Sequence, residues 1–144
     1  MQVATVRDVT LKEEYLLKLW DNYIQDNLVE STPCKVAIYD LRSGALIVAS
    51  DKFYLLQNEM CNITEGMKYP NVAYKNGITI QNHYYRVHLA DGKTGIYAKD
   101  GLNGCTVCKT WSFLIVGVHD HRVQSDVCNE QVMRLGDYFR KLGL

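Results

Sequence analysis

Apolar residues recur along this chain with two periods, and the two periods mark its elements. Leu16, Trp20, Tyr23, Ile24 and Leu28 fall on one stripe of a helix, while Asp21, Asn22, Gln25 and Asp26 lie off it. Thr10-Leu-Lys-Glu13 precedes the stripe as a capping box, so the spacing predicts an amphipathic helix over about residues 11–29, ended by Pro33. Residues 35–39 and 45–49 are short β-branched runs joined by Arg42-Ser-Gly44, which predicts a hairpin. Residues 57–67 are weakly helical, with Gly66 as an interruption. Residues 72–75 and 78–80 flank Asn76-Gly77, a strong hairpin signal, and are expected to be strands. Residues 83–89 and 94–99 predict two more strands around Asp91-Gly92.

The last 41 residues carry the clearest pattern. Cys105-Thr-Val-Cys-Lys-Thr110 is a β-branched run. Phe113-Leu-Ile-Val-Gly-Val-His119 is apolar almost throughout, as expected of a central strand buried on both faces. A polar loop follows, and Ser125 opens a second helix. The order predicts an α/β (α+β) fold, a mostly antiparallel sheet with a helix from each end of the chain packed together on one face.

Composition narrows the function classes. The chain has 144 residues, enough for one domain and a core at 47% hydrophobic content. Sixteen basic residues balance sixteen acidic ones, so the charge does not point to nucleic acid. No apolar run reaches the roughly 18 residues of a membrane span. Lys12, Glu13 and Glu14 interrupt the region where a signal peptide would carry its apolar core, so none is expected. Asn62-Ile-Thr64 is then a glycosylation sequon in pattern only.

The five cysteines are expected to be reduced and structural. Cys105 and Cys108 have CxxC spacing, but in a strand they point to opposite faces and cannot share a metal. His83 and His88 belong to no nucleophile motif. His119-Asp-His121 reads as a strand end and a loop rather than a metal site. With no GxSxG, P-loop or dinucleotide fingerprint, the expectation is a binding module without cofactor or metal, not an enzyme. The sharper feature is Trp20 and Tyr23, three apart on one helix side, an aromatic pair that Tyr138 could join.

Trp20-Asp-Asn-Tyr-Ile-Gln25 resembles the N-terminal signature of the profilins, and Leu135-Gly-Asp-Tyr138 with Gly143-Leu144 is similar to the C-terminal helix of plant-type members. Residues 135–143 also resemble the divergent testis-type animal profilins. Lys75-Asn-Gly-Ile, residues 104–110 and Leu114-Ile-Val-Gly-Val118 fall in the family's order between them. The resemblance spans about residues 18–144 and leaves residues 1–17 as an extension, helical from about residue 10.

The resemblance implies a profilin-like fold, with terminal helices on one sheet face and a short helix on the other. It implies a cytoplasmic, cytoskeleton-associated monomer that binds monomeric actin, proline-rich proteins such as formin-type assembly factors, and phosphoinositide lipids. For the proline-rich ligand it implies Trp20, Tyr23 and Tyr138, with Phe139 and Leu144 at the edges. Ile47-Val48-Ala49 stands where the family usually has a second tryptophan. For actin it implies Arg86, Val87, Lys99, Thr106, Lys109, Val123 and Asn129, with Asp126 where a glycine is usual. Tyr84 replaces a common lysine, and Gln81-Asn82 a common glycine pair. A divergent adaptor with weakened actin binding, keeping the proline-rich or phosphoinositide ligands, is the alternative.

Overall fold

The computed structural model describes residues 34–50 and 52–144. The expected first helix, its capping box, Trp20 and Tyr23 lie outside them. The described residues form an α+β fold. Seven strands, β1 (Lys35–Asp40), β2 (Leu46–Ala49), β3 (Ile78–Ile80), β4 (His83–Ala90), β5 (Gly95–Asp100), β6 (Asn103–Lys109) and β7 (Phe113–His119), make one antiparallel sheet in the order β2-β1-β7-β6-β5-β4-β3. Three helices accompany them: α1 (Gln57–Lys68), α2 (Pro70–Asn76) and α3 (Ser125–Lys141).

The expected central strand is β7. It pairs with β1 and β6, and its side chains alternate between two cores. Leu114 and Val116 join Ala37, Ile63 and Val107 on the side of α1 and α2. Phe113 and Ile115 join Val36, Ile38, Cys128, Val132 and Phe139 on the side of α3. Two-sided burial is why the run reads as continuously apolar. The same alternation sends Cys105 to the first core and Cys108 to the second.

Helix α3 covers β6 and β7, and its Met133 lies against Gly95 of β5. Its buried residues Cys128, Val132 and Phe139 recur at helical spacing. The Phe139 ring meets Phe113 edge-on, with centroids 6.0 Å apart. The C-terminus is tied down. The Leu144 amide donates to the Phe139 carbonyl (2.9 Å), and the Leu144 backbone oxygen accepts from the Ser112 amide (2.6 Å) and the Thr110 hydroxyl (3.1 Å).

One stretch differs from its expected element. Residues 72–75 are not a strand but lie in α2. Pro70 opens that helix, where its fixed φ and missing N–H cost nothing. Gly77, at φ +71°, ends it and donates its amide to the Ala73 carbonyl, so Asn76-Gly77 is a helix end and not a hairpin. The hairpin lies later, at Gln81 and Asn82, which take φ of +49° and +66° between β3 and β4. The buried Glu59 carboxylate holds them there, accepting from the Leu56 amide (2.9 Å), the Gln81 amide (2.7 Å) and the Asn82 amide (2.8 Å). Gly66 does not interrupt α1; it lies within the helix against Ala73 of α2.

Asp91 organises the turn before β5. Partial burial alone would raise its pKa, but bonds from the Thr94 hydroxyl and from the Lys93, Gly95 and Thr94 amides prevail and lower it to about 2. A depressed carboxylate contributes stability above its unfolded value, and that stability is lost as pH falls through the folded value. Asp91→Ala is therefore expected to be less stable by a constant amount above about pH 5. The deficit should shrink between about pH 4 and 2 in urea titrations at each pH, and an unchanging deficit would remove Asp91 from the acid response.

Candidate functional site

Among the described residues, α3 covers β6 and β7 and touches β5 only where Met133 lies over Gly95, so most of the same face of β4 and β5 is left open. Strand phase decides which side chains stand on it. Arg86 is opposite Lys99, Lys99 opposite Gly104, and Gly104 opposite His119, so these residues form one row across four strands. Arg86 is exposed and Lys99 half-buried, and neither makes an ion pair among the described residues. Tyr84 and His88 flank Arg86 on the same strand and are exposed.

The row runs to a cleft of about 330 Å³ walled by Lys99, Leu102, His119, Arg122, Val123 and Asp126. His119 is 5% exposed. Its Nδ1–H donates to the Asp120 carbonyl at 3.0 Å, and Nε2 has no partner among the described residues. Asp120 grips Arg122 through both carboxylate oxygens, at 2.7–3.1 Å. The Arg122 side chain and then its amide hold the Asp120 pKa down to about 2. That pair leaves Lys99 as a cleft cation without an ion pair among the described residues. Asp126 lies in the first turn of α3, where a carboxylate complements the helix dipole.

The sheet thus brings together Arg86, Lys99, Val123, Asp126 and Asn129. Thr106 supports them from beneath: it is fully buried, and its hydroxyl donates to the Asn129 side-chain carbonyl. Two expected residues do not join this face. Val87 is 5% exposed and packs in the core under α1 and α2. Lys109 is opposite Leu114, a residue of that same core, so it sits on the other side of the sheet. Strand alternation accounts for both: Val87 is one residue from Arg86 and Lys109 three from Thr106, so each takes the opposite face. His119 and Leu102 were not singled out as binding residues. The signal for His119 was its place at the end of the most apolar strand.

At the far end of α3, Tyr138 is exposed. Phe139 is fully buried against Phe113 and offers no surface to a ligand, which removes it from the expected groove edge. Leu144 is 4% exposed and serves to lock the β6–β7 turn to the helix end. Among the described residues, no three His, Cys, Asp or Glu side chains converge to hold a metal ion, and no helix is long and apolar enough to cross a membrane.

Among the described residues, a seven-stranded antiparallel sheet, one long helix on part of one face and a charged face beside it define a small α+β protein. The profilin family model matches residues 18–144, and the chain belongs to the profilin family. It is 28% identical over 124 residues to profilin-1 of Dictyostelium discoideum, covering 86% of this chain and 98% of that one. Profilin II of Acanthamoeba castellanii is 24% identical, with a TM-score of 0.77 over 87% of this chain and 99% of that structure. LokiProfilin1, solved in complex with rabbit actin, is 13% identical, with a TM-score of 0.67 over 90% of this chain and 96% of that one. Mouse profilin IIa, solved with a double repeat from the FH1 domain of mDia1, is 16% identical, with a TM-score of 0.67 over 87% and 99%.

Proposed function

We propose that this profilin binds monomeric actin through the open face formed by Arg86, Lys99, Val123, Asp126 and Asn129. One observation carries the reading: two cations without ion pairs among the described residues stand in register beside a cleft walled by the start of α3. Family membership and the complex of LokiProfilin1 with actin support it. The role is binding rather than catalysis, in the cytoplasm alongside the actin cytoskeleton. Phosphoinositide headgroups, being polyanionic, compete for Arg86 and Lys99. Slower assembly of pyrene-labelled actin at micromolar protein tests the reading; no effect by folded protein would overturn it.

Asp126 favours the second reading, an adaptor whose actin affinity is weakened. Its carboxylate stands exposed at the cleft and must lose water when a partner covers it. Asp126→Gly is expected to tighten actin binding about tenfold, on the order of 1–2 kcal/mol, while the fold loses about 1 kcal/mol through the helix start. An unchanged affinity in isothermal titration would mean that Asp126 is paired in the complex or lies outside the contact.

A proline-rich segment docks at the end of α3 by stacking on Tyr138, with Trp20 and Tyr23 as the expected opposite wall. The mouse profilin IIa complex with an FH1 repeat supports this. With one aromatic platform fewer, decaproline affinity is expected at about 10⁻⁴ M or weaker. Tyr138→Ala should weaken it severalfold in a calorimetric titration, with circular dichroism showing that the variant is folded. Equal affinity of the two proteins would place the ligand elsewhere.

A further inference from the structure

We propose that Cys34 and Cys128 are an oxidative cross-linking site, closed to an intramolecular disulfide by a hydroperoxide. The two residues are 94 positions apart in sequence, and their sulfurs lie 2.8 Å apart, inside ordinary sulfur–sulfur van der Waals contact. Both thiols are free and buried. Cys34 directly precedes β1, and Cys128 projects from α3 onto the sheet.

They meet over Gly117 of β7. A Cβ added there would lie 3.6 Å from the Cys128 sulfur, 3.8 Å from the Cys34 sulfur and 2.6 Å from Val132 Cγ2. The absent side chain provides the floor on which the sulfurs approach. A disulfide needs about 2.05 Å between sulfurs, so the remaining travel is under about 1 Å. The other three thiols lack this geometry. Cys61 is exposed on α1, Cys105 is in the opposite core, and Cys108 faces Arg140.

The chemistry balances with hydrogen peroxide as oxidant. Cys34 directly precedes a strand, while Cys128 is held inside a helix, so local opening frees Cys34 first and the first attack falls to it. The Cys34 thiolate attacks one peroxide oxygen and the O–O bond breaks. Hydroxide leaves and takes up a proton as water, and Cys34 becomes a sulfenic acid. The Cys128 sulfur then attacks the Cys34 sulfur, the S–O bond breaks, and a second water leaves with the Cys128 proton. Two thiols are oxidised and one peroxide is reduced to two waters. Peroxide is small enough to reach the pair through local opening where β1 begins; a bulky disulfide oxidant is not.

The product fastens the start of α3, which carries Asp126 and Asn129, to the start of β1. Closing a loop of this length restricts the unfolded chain strongly.

The test uses the full chain with Cys61→Ser, which removes the exposed competitor. After peroxide treatment and alkylation, peptide mapping should show the Cys34 and Cys128 peptides joined with the loss of two hydrogens. Free thiols in denaturant should fall from four to two. The melting temperature should rise by about 10 °C and return on addition of dithiothreitol. Adding Cys34→Ser should abolish both the cross-link and the shift; if that variant does not fold, the linked-peptide map of the parent decides. A bond formed through Cys105 or Cys108, sulfinic acid at Cys34 without linkage, or four unreacted thiols in folded protein would each overturn the proposal.

Discussion

Glu59→Ala is expected to destabilise the protein by about 3–5 kcal/mol. The substitution removes the acceptor of three backbone N–H groups at once, those of Leu56, Gln81 and Asn82. Each bond goes to a buried carboxylate, and such bonds contribute more than neutral ones. Two of the three also hold Gln81 and Asn82 at positive φ, a conformation that non-glycine residues adopt at a cost. Without Glu59 the turn has neither its bonds nor the restraint that keeps β3 in register with β4. Glu59→Gln should recover only part of the loss, because its amide nitrogen would face a backbone donor. Urea unfolding of the three proteins measures this. A loss below about 1 kcal/mol for Glu59→Ala would show that the turn stands without the carboxylate.

Gly136→Ala gives the second large effect, and its sign opposes helix propensity. In an isolated helix the change would stabilise by about 1 kcal/mol. Here the added Cβ would lie 2.3 Å from the Cys108 sulfur, and Cys108 is fully buried in β6. Neither sulfur nor strand can retreat, so α3 must lift from the sheet. The expected net loss is about 2–3 kcal/mol by urea unfolding. The cause is checked by a double-mutant cycle. Cys108→Ala removes the sulfur and leaves the Cys108 Cβ at an ordinary 3.7 Å from the new methyl. Gly136→Ala should therefore be nearly neutral or favourable in the Cys108→Ala background. An equal loss in both backgrounds would rule out the clash.

The elements that were plain in the sequence have one dominant period. The apolar run of β7 could bury both faces only in the middle of a sheet, and the spacing of Cys128, Val132 and Phe139 fits only a helix against it. The stretch before β3 was misleading because its signals serve two structures. Val72 and Tyr74 favour strands, and Asn-Gly tolerates positive φ at a helix end as readily as in a hairpin. Pro70 at the first turn of α2 was the discriminating residue. The true turn at Gln81 and Asn82 has no local signature of comparable strength, since Glu59, more than 20 residues earlier, imposes it.

The site was legible to the same degree. Arg86, Lys99, Val123, Asp126 and Asn129, which the family resemblance singles out, share one face of the structure. Val87, Lys109 and Phe139 do not join it: Val87 follows Arg86 and Lys109 lies three beyond Thr106, so alternation turns both to the other face, and helix phase buries Phe139 against Phe113. His119 reads in the sequence only as a strand end, because its neighbours in the cleft, Lys99, Gly104 and Asp126, are distant along the chain.

The central claim is that the face of β4 and β5 beside α3 receives monomeric actin. Titration of fluorescently labelled monomeric actin with the full chain and with Arg86→Glu/Lys99→Glu tests it most directly. The account predicts saturable binding with Kd of about 10⁻⁶ to 10⁻⁵ M for the unaltered protein. The doubly reversed face should bind at least about tenfold more weakly, with its melting temperature unchanged. Binding of equal strength by both folded proteins, or none by the unaltered protein at about 10⁻⁴ M, would contradict it.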